Sequence, residues 1–516
     1  MSWKGETMGH APVVKTDCGM LSGSVDAGAG VHVFKGIPYA KPPLGPLRWQ
    51  APQPPQPWQG ERFAHRFGPR CIQPEYVGNS INFFGSEDES EDCLTLNVWT
   101  PGIDRNARLP VMVWLHGGGF VTGSGALSLY DGSELARHGV VLVTVNYRLG
   151  PLGFMAWAEG SAEPRGNWGL LDQIAALEWI SRNIEAFGGD RGCVTIFGQS
   201  AGSSSVNCLM TSPLARGLFH RAIGQSGGSL GPPGRAGGGS LQDVADAAKI
   251  AQRACMGLGY ATPEERRSAD ARDLQLLWPK DRANRCWAVV DGHSVPKEVY
   301  ASFAAGEQAN VPLLTGANAN EGSARTPAPD VEAWKKSLQQ DFGEEGLVLF
   351  EAYGAGRDLD EMSRRLGGHL TFNWINWTWA RMNQRTSRAP TFAYHFRHAP
   401  PAPEGVDIAE NRPERFGAFH TAEIHYIFGT LHSRNWPWTE ADRHLCETMR
   451  SYWINFARNG DPNGAGLPAW PTFNPDLPTV QLLDPEAVSG ELPERQLFDL
   501  IDACMQRVRT RAAAST

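Results

Sequence analysis

Three short apolar runs, Leu109 to Leu115, Val140 to Val145 and Cys193 to Phe197, constrain the fold of this chain more than any other feature of its sequence. Each is too short for a buried helix and rich in β-branched or aromatic residues, so each reads as a strand buried on both faces. Between the second and third, Gly169 to Phe187 spaces Leu170, Ile174, Leu177, Ile180 and Ile184 three or four residues apart, a helix with one apolar face. Gly188-Gly189 then ends it. Strands alternating with helix-length segments predict an α/β architecture, a sheet covered by helices.

The composition narrows the function classes. With 41% hydrophobic and 20% charged residues over 516 positions, the chain has material for a large core and too much of it for disorder. No unit of 20–50 residues repeats, which removes solenoids and propellers. The apolar runs fall far short of the roughly 20 residues a membrane-crossing helix needs, so no membrane span is expected. A net charge of -8 without a Lys/Arg stripe argues against nucleic acid as a partner. The nine cysteines show no C-x-x-C spacing, so zinc ribbons and thioredoxin-like sites are excluded, and no metal or cofactor is expected. Met1 to Gly23 lacks an apolar segment behind a basic start, so the expectation is a soluble chain with no signal peptide in the sequence as given. The compartment stays open. The Pro-rich stretch Ile37 to Trp58, the Gly-rich stretch Gly231 to Gly239 and the turn Asp461 to Gly464 read as connections. None separates two self-sufficient halves, and 1–516 is read as one domain with insertions.

Two pentapeptides fit G-x-S-x-G, Gly198-Gln199-Ser200-Ala201-Gly202 and Gly224-Gln225-Ser226-Gly227-Gly228. Their surroundings separate them. Ser200 follows the strand Cys193 to Phe197 and precedes the helix-competent run Ser203 to Met210. That is the strand–turn–helix elbow in which flanking glycines let a strained turn close and project the hydroxyl from the sheet edge. Ser226 also follows an apolar run, Leu218 to Ile223, but glycines and prolines after it give no helix, and it reads as a turn serine. A serine hydroxyl needs a base and an anion-binding pocket before it can attack. His116-Gly117-Gly118-Gly119-Phe120, straight after Leu109 to Leu115, supplies glycines whose N–H groups can converge on an oxyanion. His116 itself reads as an anchor for that loop rather than as the base.

These residues resemble the type-B carboxylesterases of the α/β-hydrolase fold, the family that also holds cholinesterases and bacterial p-nitrobenzyl esterases. The resemblance spans nearly the whole chain: Phe34 to Ala40 and Pro46 to Trp49 near the start, Ser90 to Trp99 (SEDCLTLNVW), Asn146 to Gly150, Gly166 to Gln173, and Trp453 to Asn463 near the end. It implies a large, mostly parallel central sheet flanked by helices. Gly316 to Gly322, after the strand-like Val311 to Leu314, is similar to the segment that carries the family's acid, which implies Glu321. Gly417 to Ile424 matches the segment that carries its base, which implies His420, with His425 a structural neighbour. The order Ser200, Glu321, His420 is nucleophile, acid, base.

The resemblance further implies acyl transfer by Ser200, His420 and Glu321, with the N–H groups of Gly118, Gly119 and Ala201 as oxyanion hole. It implies a disulfide between Cys71 and Cys93 in an exported chain and two reduced thiols in a cytosolic one; their loop lacks the Trp that stacks on choline and offers Tyr76, Phe83 and Phe84 instead, so a cholinesterase is not expected. The family's second disulfide lacks a near partner for Cys255. Arg48 with Glu91, and Arg148 with Asp172, look like its structural charge pairs. Phe120, Trp374 and Trp377 are candidates to line the substrate pocket; for the two tryptophans, core packing is the other reading. Asn284 and Arg285 fall near the acyl pocket. The expected function is therefore hydrolysis of a small-molecule carboxylic ester, by a monomer or homodimer. An amide or carbamate hydrolase with the same triad, or a non-catalytic binding member of the fold, are the alternatives.

Overall fold

The computed structural model describes residues 11–74, 88–157, 165–232, 239–277, 286–322, 329–354, 358–403 and 417–514. Tyr76, Phe83, Phe84, Asn284, Arg285 and most of the Gly231 to Gly239 stretch lie outside them.

Eleven strands form one sheet. In chain order they are β1 (Ser24–Asp26), β2 (Val31–Pro38), β3 (Thr95–Thr100), β4 (Leu109–Leu115), β5 (Val141–Val145), β6 (Gly189–Gln199), β7 (Arg221–Gln225), β8 (Leu313–Asn318), β9 (Thr391–Phe396), β10 (Thr479–Leu483) and β11 (Val488–Glu491). Their spatial order is 11-10-9-8-7-6-4-5-3-2-1. The run from β10 to β5 is parallel throughout, and antiparallel strands close both ends. This is the mostly parallel α/β-hydrolase sheet, and its central strands are buried on both faces, as their unbroken apolar sequences require.

Because side chains alternate along a strand, β4 feeds two cores. Val111, Val113 and Leu115 point to one face, where they meet Leu170, Ile174, Leu177 and Ile180 of helix α1 (Trp168–Asn183). Met112 and Trp114 point to the other, towards a second cluster that holds Leu445, Met449, Trp453 and Phe456 of a long helix near the C-terminus. The apolar stripe read from the sequence is thus the buried face of α1, and its chain continues through a 3₁₀ turn to Gly188, which takes φ +79° as a helix terminator should.

Both structural charge pairs form. Arg148 Nε and Nη2 donate to the two Asp172 oxygens at 2.7 Å each, fully enclosed. Arg48 Nε donates to Glu91 at 2.8 Å. Each pair joins segments far apart in the chain, and a buried charge of this kind is tolerable only beside its partner.

Two expectations change. The strand expected at Val311 to Leu314 begins at Leu313 and runs to Asn318, because Pro312 has no N–H to give to the ladder. Cys71 and Cys93 are buried free thiols, and no bridge joins them. No helix among the described residues is long and apolar enough to cross a membrane.

Candidate active site

The site lies at the C-terminal edge of the parallel strands, where an open α/β sheet presents its loops to ligands. β4 delivers the glycine run, β6 delivers Ser200, and β8 delivers the loop with Glu321. An isolated bridge between Asn320 and Phe419 brings the segment carrying His420 alongside.

Ser200 sits between β6 and helix α2 (Ala201–Thr211) at φ 58°, ψ -123°, a conformation an L-residue adopts only under constraint. The constraint comes from its glycine neighbours. A Cβ on Gly202 would lie 1.9 Å from the Leu115 carbonyl oxygen, so only glycine lets the turn press this close to β4. The result is a half-exposed serine in an otherwise buried turn. Ser226 shares the positive φ, at 50°, but is wholly buried at the end of β7, as a turn serine would be.

His420 Nδ1 lies 2.6 Å from Glu321 Oε2. A carboxylate oxygen accepts, so Nδ1 carries a proton, and in the neutral ring the lone pair is then on Nε2. Glu321 is itself held: its Oε1 accepts the Asn318 N–H at 2.6 Å. No hydrogen bond joins Ser200 to His420. The imidazole Nε2 instead faces Gln199 Nε2 at 3.1 Å. Hydrogen bonds between a hydroxyl and an imidazole in an enzyme site are often long without substrate and tighten once it is bound.

Gly118 and Gly119 both take positive φ, 108° and 64°. A Cβ on Gly118 would meet the Thr122 carbonyl oxygen at 2.1 Å, whereas one on Gly119 would meet nothing within 4 Å. Gly118 is therefore locked into the loop while Gly119 borders open space. Ala201 opens α2, where the first N–H groups have no carbonyl of their own helix to meet. His116 is buried with Nδ1 2.8 Å from the Gly117 carbonyl, and its ring stacks on Tyr147 at 4.4 Å. Burial pushes it down to about 4, so it anchors the loop as a neutral ring. His425 is likewise buried and pushed down to about 3 by burial, among Trp436 and Trp438.

Phe120 is fully buried between Phe154, at 4.3 Å, and Trp287, at 4.7 Å edge-on. Trp374 and Trp377 do share a face of helix α3 (Trp374–Thr386), but that face meets the C-terminal helix α4 (Arg495–Ala514). Trp374 Nε1 donates to Asp502 at 3.3 Å, and Trp377 packs on Phe498 beneath the Arg381 guanidinium. By their contacts both pack in the core against α4.

Three neighbours of Ser200, Glu321 and His420 were not singled out from the sequence: Gln199, Phe372 and Glu423. Glu423 is three residues after His420, inside the Gly417 to Ile424 match that singled out only His420. It is fully buried, accepting from Asn318 Nδ2 at 2.6 Å and from Gln225 Nε2 at 3.2 Å. Burial, and then the charge of Glu321, push its carboxyl up to about 7, against the opposing hydrogen bond from Asn318. A carboxyl that keeps its proton near neutrality adds no second negative charge beside the imidazole.

This raised value has a signed consequence. The folded chain holds the Glu423 proton up to about pH 7, whereas the unfolded chain releases it near pH 4.5. The stability contributed by Glu423 is therefore full below about pH 4.5 and is lost as pH rises to about 7. Thermal midpoints of the wild type and of Glu423→Gln, measured from pH 5 to pH 8, are expected to shift relative to one another, with the wild type losing ground as pH rises. An offset that stays constant over that range would show that Glu423 does not titrate in the folded protein.

The model of the carboxylesterase family matches residues 10–497. Among curated relatives, human (Homo sapiens) cocaine esterase is 35% identical over 97% of this chain and 92% of its own. Fumonisin B1 esterase of Sphingopyxis macrogoltabida is 36% identical over 88% and 83%. Para-nitrobenzyl esterase of Bacillus subtilis (strain 168) is 34% identical over 94% and 97%. Among solved structures, a thermophilic para-nitrobenzyl esterase superposes with a TM-score of 0.81 at 32% identity, covering 95% of this chain and 99% of that one.

Proposed function

We propose that this chain, which belongs to the carboxylesterase family and is a carboxylic ester hydrolase, cleaves its substrate through Ser200, His420 and Glu321 by way of a covalent acyl-enzyme. The observation that carries this reading is the 2.6 Å pair of His420 Nδ1 and Glu321 Oε2, which leaves the free imidazole lone pair on Nε2, the nitrogen away from the acid.

In the proposed sequence, His420 Nε2 takes the Ser200 proton as Oγ attacks the ester carbonyl carbon, and the carbonyl π electrons move onto oxygen. The N–H groups of Gly118, Gly119 and Ala201 receive that oxyanion, and each such donor is worth on the order of 100- to 1000-fold in rate. The tetrahedral adduct collapses, the C–O bond to the alcohol breaks, and His420 returns the proton to the leaving oxygen. Water then repeats the cycle on the acyl-enzyme, releasing the acid and restoring Ser200. Glu321 fixes the tautomer and offsets the imidazolium charge throughout. Trp287, half-buried on the edge of Phe120 beside the glycine loop, favours an apolar group on the substrate. One sheet with one core on each face supports reading the chain as one domain.

The test is hydrolysis of p-nitrophenyl acetate and butyrate by the wild type beside Ser226→Ala. Both proteins are expected to turn both esters over, within a few-fold of each other, because Ser226 is sealed in the interior. A folded wild type that leaves both esters untouched would contradict the proposed hydrolysis through Ser200.

A further inference from the structure

The His420 imidazole has a face as well as two nitrogens, and that face is covered. The Phe372 ring lies over it with centroids 4.3 Å apart and planes inclined by 28°, a stacked arrangement. Phe372 belongs to a single π-helical turn, His369–Asn373, directly before α3. Such wide turns are rare and concentrate at functional sites, because inserting one residue re-aims a side chain.

This turn is fastened on both sides of Phe372. His369 Nδ1 lies 2.7 Å from the Tyr353 hydroxyl, and its Nε2 3.1 Å from Glu494. Asn373 Nδ2 donates to the Asn318 carbonyl at 2.9 Å. Asn318 is the residue whose N–H holds Glu321 and whose amide holds Glu423. One residue thus ties the Phe372 turn to the acid, and the acid to the base. The charged or ionisable groups facing the imidazole are Glu321, from the loop after β8, and Glu423, from its own turn; Gln199, from the end of β6, is neutral. Among the described residues, Phe372 contributes the aromatic face stacked on the ring.

We propose that Phe372 is a positioning residue for the reaction, fixing the plane of the His420 ring and stabilising its protonated form through the negative face of its own ring. The inference rests on His420 being the base. The imidazole is cationic only after it has taken a proton from Ser200, so the attraction of a cation to an aromatic face strengthens as the transition state is approached. It therefore acts on turnover rather than on binding.

Phe372→Leu keeps an apolar side chain over the ring and removes the aromatic face; Phe372→Tyr keeps the face. With p-nitrophenyl butyrate, Phe372→Leu is expected to lower kcat by about 3- to 30-fold with KM within about twofold. The acidic limb of its kcat/KM profile is expected to move to lower pH by a few tenths of a unit to about one unit. Phe372→Tyr is expected to recover most of kcat and the wild-type limb. A Leu variant with wild-type kcat and a superimposable pH profile overturns the inference, as does equal loss in the Leu and Tyr variants with an unmoved limb. His420→Ala, assayed in parallel, separates the two levels of the argument. If it is inactive while Phe372→Leu is unchanged, only the stacking role falls; if it still turns over, the triad falls and the inference with it.

Discussion

Ser200→Ala is expected to lower p-nitrophenyl butyrate hydrolysis by about 10⁴-fold or more, close to the buffer rate. The loss is large because Ser226, in the second matching pentapeptide, is buried at the end of a neighbouring strand and cannot stand in. What remains is the oxyanion hole acting on water, so a small residue of rate above buffer fits the account. The substitution keeps the fold, since alanine faces the same φ of 58° that serine tolerates. Unchanged thermal stability alongside lost activity is the expected pair of readings. Activity within tenfold of the wild type would remove Ser200 from the mechanism.

The second large effect is expected for Glu321→Gln, at about 10⁴-fold in kcat, and the hydrogen bonds explain why a near-isosteric change costs so much. The Asn318 N–H donates to one oxygen of the Glu321 carboxylate, so the amide of a glutamine must keep its oxygen there. Its NH₂ then faces His420 Nδ1, where Oε2 now stands 2.6 Å away. Two donors cannot share that contact. The imidazole must place its lone pair on Nδ1 and its proton on Nε2, which leaves nothing to accept the proton from Ser200. KM is expected to change little, because the acid sits behind the base and buried from the substrate. A kcat within tenfold of the wild type would mean that Glu321 does not set the tautomer.

Local pattern carried the reading as far as contacts between neighbours in sequence could take it. The β4 strand, the α1 stripe and the elbow at Ser200 all follow from period, glycine placement and chain order, and each stands where those signals put it. His420 and Glu321 carried no local signal; their motifs were readable only through the resemblance to a family. The side that α3 turns to its surroundings was not legible, because the spacing of Trp374 and Trp377 says that they share a face but not that α4, more than 100 residues on, covers it. Phe372 and Glu423 were missed for the same reason. Their roles come from ring stacking and from carboxyls brought together across β8, relations that no periodicity records.

The central claim is that the acyl group passes through Ser200 Oγ. The most direct measurement treats the wild type, Ser200→Ala and Ser226→Ala with a fluorophosphonate and locates the adduct by peptide mass. The account predicts one adduct per chain on the peptide containing Ser200, present in the wild type and in Ser226→Ala and absent from Ser200→Ala. An adduct that persists in Ser200→Ala, or a wild type that hydrolyses ester yet takes no label at Ser200, would contradict it.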